Sequence, residues 1–538
     1  PDVGNMTKIL SFSYFDLPHH LRTCFSYLSV FPEDCEIEKK HLINRWIAEG
    51  FVHEENGQSA YEAGERYFND LINRSLIQPV DIKYGQARVC RVHDILLDFI
   101  TCKAAEENFI TSVDSVDHGP VSDYKVRRLC VDNRNIQENI LLRGLILSHV
   151  RSLTIFGNFL QIPLSTFTAL RVLDLEYCQM LQDHHLAYIE KLFHLKYLKV
   201  NSNLITELPQ KIGELRYLET LDISRTGIAE LPPNIVRLQR LARLYVCHRT
   251  IFPDGIIGQM QSLEELDKFG VFSYKHEKPL KEFGQLTKLR SLTIRCDLHW
   301  STDSEGSQAD DLDSCMESLI SSCTVRNLRI LKLYNSPLSC PMSLDSWCSA
   351  APTTNRLQKF HITFCYISKV PNWMSSLRNL KELKLYIYSL RPEDFEILGE
   401  MPSLIFLNLK TFYGTNGRIY VCGDNKGFSS LKCFSLDIIY SGTAVEFEAG
   451  SMPKLEHLKL EFPLIEMESP MSASELGIRH LSNLTKVDLV FLSCFHYDSN
   501  YDPAADKEDS IIKSVATLIK AVAEALPNNP TIKFELRW

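Results

Sequence analysis

Two hydrophobic periods divide the chain. From about residue 126 onward, apolar positions recur as L-x-x-L-x-L, from Val126-Leu129-Val131 and Val150-Leu153-Ile155 through Leu218-Leu221-Ile223 and Leu380-Leu383-Leu385 to Leu484-Val487-Leu489. With a weaker copy at Leu263-Leu266 there are about fifteen units, and most begin roughly 20 to 29 residues after the last. A period of two within each unit predicts a short strand whose L-x-L residues enter a shared core while the intervening x positions face out. Before residue 110 the period is instead helical. It predicts helices over Asn5–Tyr14, Pro18–Ser29, Ile37–Glu49 (closed by Gly50), Gln58–Asn73 and Asp94–Glu107. A hairpin of Leu76–Ile82 and Ala87–Val92 precedes the last of these, turning at Lys83-Tyr84-Gly85-Gln86.

The long repeat is the leucine-rich-repeat period, and helices followed by a two-stranded wing describe a winged helix. The expected fold is therefore an α+β winged helix over 1–110, a polar linker over 111–125, and an α/β leucine-rich-repeat solenoid, curved as a horseshoe, over 126–538. Segments such as Ile205-Thr206-Glu207-Leu208-Pro209 return the chain across the convex side. The Ser-rich acidic stretch Ser301–Asp313 reads as an inserted loop, and Thr411–Phe428 as a second irregular stretch. A helix over Asp509–Leu526 and a strand over Thr531–Leu536 would cap the last repeat.

Composition narrows the function. Hydrophobic residues make up 45%, charged residues 23%, and the net charge is −9, so the chain has no general attraction for nucleic acid or anionic lipid. No apolar run reaches bilayer length, and no secretory signal opens the chain. The 16 cysteines form no C-x-x-C pair and several sit in apolar runs, as expected of buried thiols in a reducing compartment. Sequons at Asn5, Asn73 and Asn483 are read as chance triplets. The opening Pro1-Asp2-Val3, with a helical pattern already under way, is read as the start of a fragment.

Three runs carry a resemblance. They are Leu10–Pro18 followed by Leu28-Ser29-Val30-Phe31-Pro32-Glu33-Asp34, then Arg45-Trp46-Ile47-Ala48-Glu49-Gly50-Phe51, then Tyr67-Phe68-Asn69-Asp70-Leu71-Ile72-Asn73-Arg74-Ser75-Leu76-Ile77-Gln78 with Val92-His93-Asp94. Together they resemble the winged helix of plant NB-ARC-LRR immune receptors of the coiled-coil type, Val92 standing where the family's Met-His-Asp motif has Met. The resemblance implies ADP or ATP bound in the full-length receptor, with His93 as phosphate sensor and Asp94 beside it. A helix start suits phosphate for independent reasons, since free N–H groups and the positive dipole end meet there. The competing structural role is that Asp94 caps the helix. The chain contains no G-x-x-x-x-G-K-[ST] loop, so no nucleotide is expected on this fragment and no enzymatic activity of its own.

The resemblance further implies a cytoplasmic protein, with the nucleus and membrane periphery as alternatives. It would oligomerise on activation, contact its own NB-ARC and coiled-coil domains, and use the repeats for autoinhibition and for recognising a pathogen effector or a guarded host protein. Tyr177, Tyr245, Tyr334, Phe364, Tyr386 and Phe412, at or beside outward positions of the strands, are the candidate recognition face. The rival reading is a leucine-rich-repeat scaffold such as a ubiquitin-ligase substrate adaptor. Cys90 with His93 lacks an orienting acid for catalysis, His184, His185 and His361 lack ligand spacing for a metal, and the third helix lacks the basic excess of a DNA reader.

Overall fold

The computed structural model describes residues 3–55, 57–83, 86–114, 125–134, 142, 145–157, 163–178, 180–271, 281–296, 327–335, 344–345, 356–413, 419–421, 427–439, 445–463, 478–492 and 530–537. They form two compact units, residues 1–269 and 270–538. The first begins with helices α1 (Val3–Phe15) and α2 (His19–Ser26), then a tight turn over Tyr27–Val30. Strand β1 (Ile37–Glu38), helices α3 (Lys39–Glu49) and α4 (Ala60–Asn73), strands β2 (Gln78–Lys83) and β3 (Gln86–Arg91), and helix α5 (Asp94–Glu106) complete the winged helix.

Several boundaries differ from the helical pattern for local reasons. Pro18 precedes α2 as its N-cap and does not occupy its first turn. Ile37 and Glu38 leave the expected third helix to pair antiparallel with Cys90 and Val89, giving the sheet order β1-β3-β2. The fourth helix starts two residues later than expected because Ser59 and Glu62 form a capping box, with the Glu62 N–H donating to Ser59 Oγ at 3.3 Å and the Ser59 N–H to Glu62 Oε2 at 2.9 Å. Gly50 ends α3 at φ 83°. At Gly64 a Cβ would lie 2.5 Å from Ile43 Cγ2, so the glycine is what lets α4 approach α3 this closely. Cys24, Leu28, Trp46, Phe68 and Ile100 make the centre of the core.

Strands of the repeats follow in one parallel ladder: β4 (Thr111–Asp114), β5 (Arg128–Asp132), β6 (Ser152–Phe156), β7 (Val172–Tyr177), β8 (Tyr197–Ser202), β9 (Thr220–Thr226), β10 (Arg243–Tyr245) and β11 (Glu265–Val271). The stretch read as a polar linker thus opens with a strand. Thr111-Ser112-Val113-Asp114 has little apolar content, but it adds to the edge offered by Leu129–Asp132. Short helical turns such as Gln210–Glu214 and Pro233–Arg237, each following a proline, return the chain and bury Ile212 and Ile235.

The second unit repeats the scheme. Its ladder runs β12 (Ser291–Cys296), β13 (Ile330–Asn335), β14 (Lys359–Ile367), β15 (Glu382–Ser389) and, after helix α6 (Pro392–Gly399), β16 (Phe406–Tyr413). Strand β17 (Ile419–Val421) leaves the ladder, which resumes with β18 (Cys433–Ile438). Strand β19 (Val445–Phe447) pairs with β17 in a separate two-stranded sheet, giving order to part of a stretch expected to be irregular. Then come β20 (His457–Pro463), β21 (Lys486–Leu492) and the closing strand β22 (Thr531–Arg537). All fifteen apolar units therefore form strands. The expected loop at Ser301–Asp313 and helix at Asp509–Leu526 lie outside the described residues.

Candidate functional site

Helix α3 lies against the open face of the first repeats, and its sequence shows why it is buried nearly all round. Leu42, Ile43 and Trp46 enter the winged-helix core, while Asn44, Arg45, Ala48 and Glu49 are buried as well. Ala48 packs on Val172 and Tyr197 of β7 and β8. Arg45, 1% exposed, donates through Nη1 to Asp174 Oδ2 at 2.7 Å, through Nη2 to Thr154 Oγ1 at 2.7 Å and through Nε to Tyr27 OH at 3.1 Å. Its guanidinium also faces the rings of Phe31 and Tyr27. Each donor edge of the guanidinium thus meets an acceptor, two of them on strands of the repeats.

Further contacts flank this centre. Asn44 donates to Tyr245 OH at 3.0 Å, and Lys40 sits 4.1 Å above the Tyr245 ring and 2.7 Å from Glu265. Arg128 of β5 donates to Glu49 at 2.9 Å and stacks over Phe109. Cys130 and Phe156 of the repeats join the winged-helix core itself, with Tyr177 packed against it. The winged helix and the first repeats share one interior.

His41 stands between two carboxylates, 3.0 Å from Glu38 and 3.5 Å from Asp222. The hydrogen bond from His41, outweighing the burial that opposes it, lowers the Glu38 carboxyl to about 2. A lowered carboxyl stabilises the fold fully above its ordinary pKa of 4.5 and loses that contribution as pH falls towards 2. Urea midpoints of the wild type and Glu38→Gln are therefore expected to differ most at pH 5 and to draw together as pH falls through 3 towards 2, and a constant gap would place Glu38 outside the pH dependence.

The motif residues open helix α5. Val92 is buried, whereas His93 and Asp94 are exposed at the start of α5. Here the cap differs from expectation. His93 is the N-cap, its Nδ1 accepting from the Ile95 N–H at 3.4 Å, and Asp94 is the first helical residue. The helix starts one residue before the position an Asp94 cap would require, so Asp94 contributes charge at the positive dipole end.

The six aromatic candidates separate into two groups. Tyr245 is 2% exposed beneath α3, and Tyr177 is half-buried against Phe156 with its hydroxyl 3.5 Å from Cys35. These two belong to the docked winged helix and are not an open face. In the second unit Phe364, Tyr386 and Phe412 gather into a shelf with Tyr366 and Tyr388, which the sequence pattern had not marked. Ring centroids are 5.6 Å apart for Phe364 and Tyr386, 5.4 Å for Tyr366 and Phe412, and 5.8 Å for the stacked Tyr388 and Phe412. A bulge between His361 and Tyr366 produces the shelf, with Phe364 at φ 61° and 51% exposed. A bulky residue in that backbone region is strained, which is a mark of functional positions. Tyr334 is half-buried on neighbouring β13. Lys410 lies 5.6 Å above Tyr386, and Asp437, raised by burial and by Glu461, edges the same face two strands on. Aromatic faces with charges of both signs suit a protein surface.

Other candidates resolve as structural. His185 accepts from the Gln182 N–H in a short turn, and no metal-holding cluster occurs among the described residues. Burial raises Cys90 to about 12, the wrong direction for a nucleophile. Helix α3, the groove-reading element of a DNA-binding winged helix, has its outer face against the repeats.

Comparison with known proteins agrees with this architecture. Residues 30–100 match the winged helix domain of disease resistance proteins, and residues 149–532 match a leucine-rich repeat region. Rice disease resistance protein Pik-2 is 30% identical over 546 residues, covering 90% of this chain and 51% of the relative. Rice RGA5 is 31% identical over 496 residues, covering 90% and 43%. Among solved structures, a leucine-rich-repeat protein of Leptospira interrogans covers 76% of this chain and 95% of its own at 18% identity, with a TM-score of 0.43. The chain spans about half the length of the curated relatives it matches. Two domain matches in this order, with relatives aligned over nine-tenths of the chain, mean that it belongs to the plant disease resistance proteins that join a winged helix to leucine-rich repeats.

Proposed function

We propose that this chain is the switch and sensor portion of a cytoplasmic NB-ARC immune receptor, restrained by its repeats until they meet a pathogen effector or a guarded host protein. One observation carries the reading: the exposed His93-Asp94 start of α5 belongs to a body that shares a core with the first repeats. A displacement at either is then transmitted as motion of the whole body. In the longer receptor, ADP or ATP would supply the phosphates read at His93. The fit is good, because Nδ1 is committed to the Ile95 N–H while Nε2 has no hydrogen bond among the described residues and can donate outward. No nucleotide turnover is assigned to this chain by itself. Recognition falls to the aromatic shelf of the second unit, and activation leads to oligomerisation through domains outside this chain.

Asp94→Val tests the switch. A purely structural Asp94 contributes only about 0.3–1 kcal/mol at a helix start, so its loss would leave signalling silent. We expect the full-length variant, expressed in leaves, to give cell death without a pathogen. Silence at normal protein levels would remove His93 and Asp94 from the switch.

A further inference from the structure

Arg127, Arg151 and Arg171 each stand immediately before a strand of three consecutive repeats, β5, β6 and β7. Their backbones are laddered, the Arg151 N–H donating to the Arg127 carbonyl at 2.6 Å and the Arg171 N–H to the Arg151 carbonyl at 2.7 Å. Three guanidinium stems therefore leave the sheet at the inter-strand spacing of about 4.8 Å. At the same position of two other adjacent strand pairs the charges are opposite: Lys196 pairs with Glu219 at 2.8 Å, and Lys432 with Glu456 at 2.7 Å. Among the described residues no carboxylate pairs with the three arginines. The neighbouring Arg128 is paired with Glu49 at 2.9 Å, so that carboxylate is already engaged. Burial, then Arg171, Arg127 and Arg128, hold Arg151 below the usual arginine range. In a chain of net charge −9, this is a local concentration of like charge that an anion would relieve.

We propose that the rim formed by Arg127, Arg151 and Arg171 is a binding site for a polyphosphorylated ligand. Guanidinium forks engage phosphate oxygens in pairs, and a row of them suits several linked phosphates better than one. This site is distinct from the start of α5. Arg128 lies over Phe109, just past the far end of that helix, and its thirteen residues span about 20 Å.

The test uses the purified chain with sodium tripolyphosphate, against sulfate at matched ionic strength, and in parallel with phosphatidylcholine vesicles containing phosphatidylinositol bisphosphate. Tripolyphosphate is expected to raise the melting temperature. Arg151→Gln/Arg171→Gln should weaken its binding by about tenfold or more, since two charge-assisted contacts are lost. Without ligand the double variant should melt no lower than wild type, since repulsion is removed. Binding to both probes, or to vesicles alone with the same dependence on the arginines, upholds the phosphate site and identifies free or lipid-borne phosphate as its source. No response to either probe, or an equal response in the double variant, overturns it.

Discussion

Arg45→Ala is expected to lower the stability of the first unit by about 3–5 kcal/mol, the usual consequence of removing one partner from a buried ion pair. Asp174 is 2% exposed, and although its Oδ1 accepts from the Glu176 N–H at 3.0 Å, its Oδ2 depends on Arg45. Truncation also leaves Thr154 and Tyr27 without their guanidinium donor and opens a cavity between Phe31 and Tyr27. The double variant Arg45→Met/Asp174→Leu removes both charges while keeping apolar volume, and should recover most of the loss. Urea unfolding followed by circular dichroism distinguishes the cases. If Arg45→Ala matches wild type within 1 kcal/mol, roughly the worth of an exposed pair, the pair is not the anchor of the docked winged helix.

The repeat half was legible because its signal is local. Each L-x-L unit fixes its own strand, and a neighbour with the same period supplies its cover, so even the weak copy at Leu263-Leu266 forms β11. Local signals also placed four of the five helices of the winged helix to within two residues. The docking of α3 was not legible. Arg45 and Asp174 are 129 residues apart, and a polar row on a helix reads as a solvated face until something is known to cover it. The same limit explains the aromatics. Tyr245 and Tyr386 occupy comparable strand positions, yet one lies under α3 and the other on an open shelf, and neither strand records the difference. Two-residue β1 escaped because its partner, β3, lies some fifty residues on. Tyr366 and Tyr388 were missed since the bulge at Phe364 that brings them together breaks the repeat register.

Leu383→Asp should abolish the fold of the second unit, whereas Tyr386→Ala should leave it standing. Leu383 has no solvent exposure and is flanked in register by Phe360 of β14 and Leu407 of β16. A carboxylate there loses the leucine's packing and is buried without a partner, a combined cost of several kcal/mol. Each strand of a solenoid is covered only by its neighbours, so failure at β15 exposes β14 and β16 in turn. Limited proteolysis should then cut the second unit while the first persists, because Arg45, Asp174 and the rest of the docked core lie within residues 1–269. Tyr386 is only half-buried, and its ring meets Phe364, Tyr366 and Lys410 at the surface of the shelf. Its truncation should shift the melting temperature by a few degrees at most, the size expected for about 1 kcal/mol, while reducing the response to the cognate effector by about tenfold or more if the ring is an interface anchor. A Tyr386→Ala protein that unfolds like Leu383→Asp would make the tyrosine a core residue, and one that folds and responds normally would move recognition off the shelf.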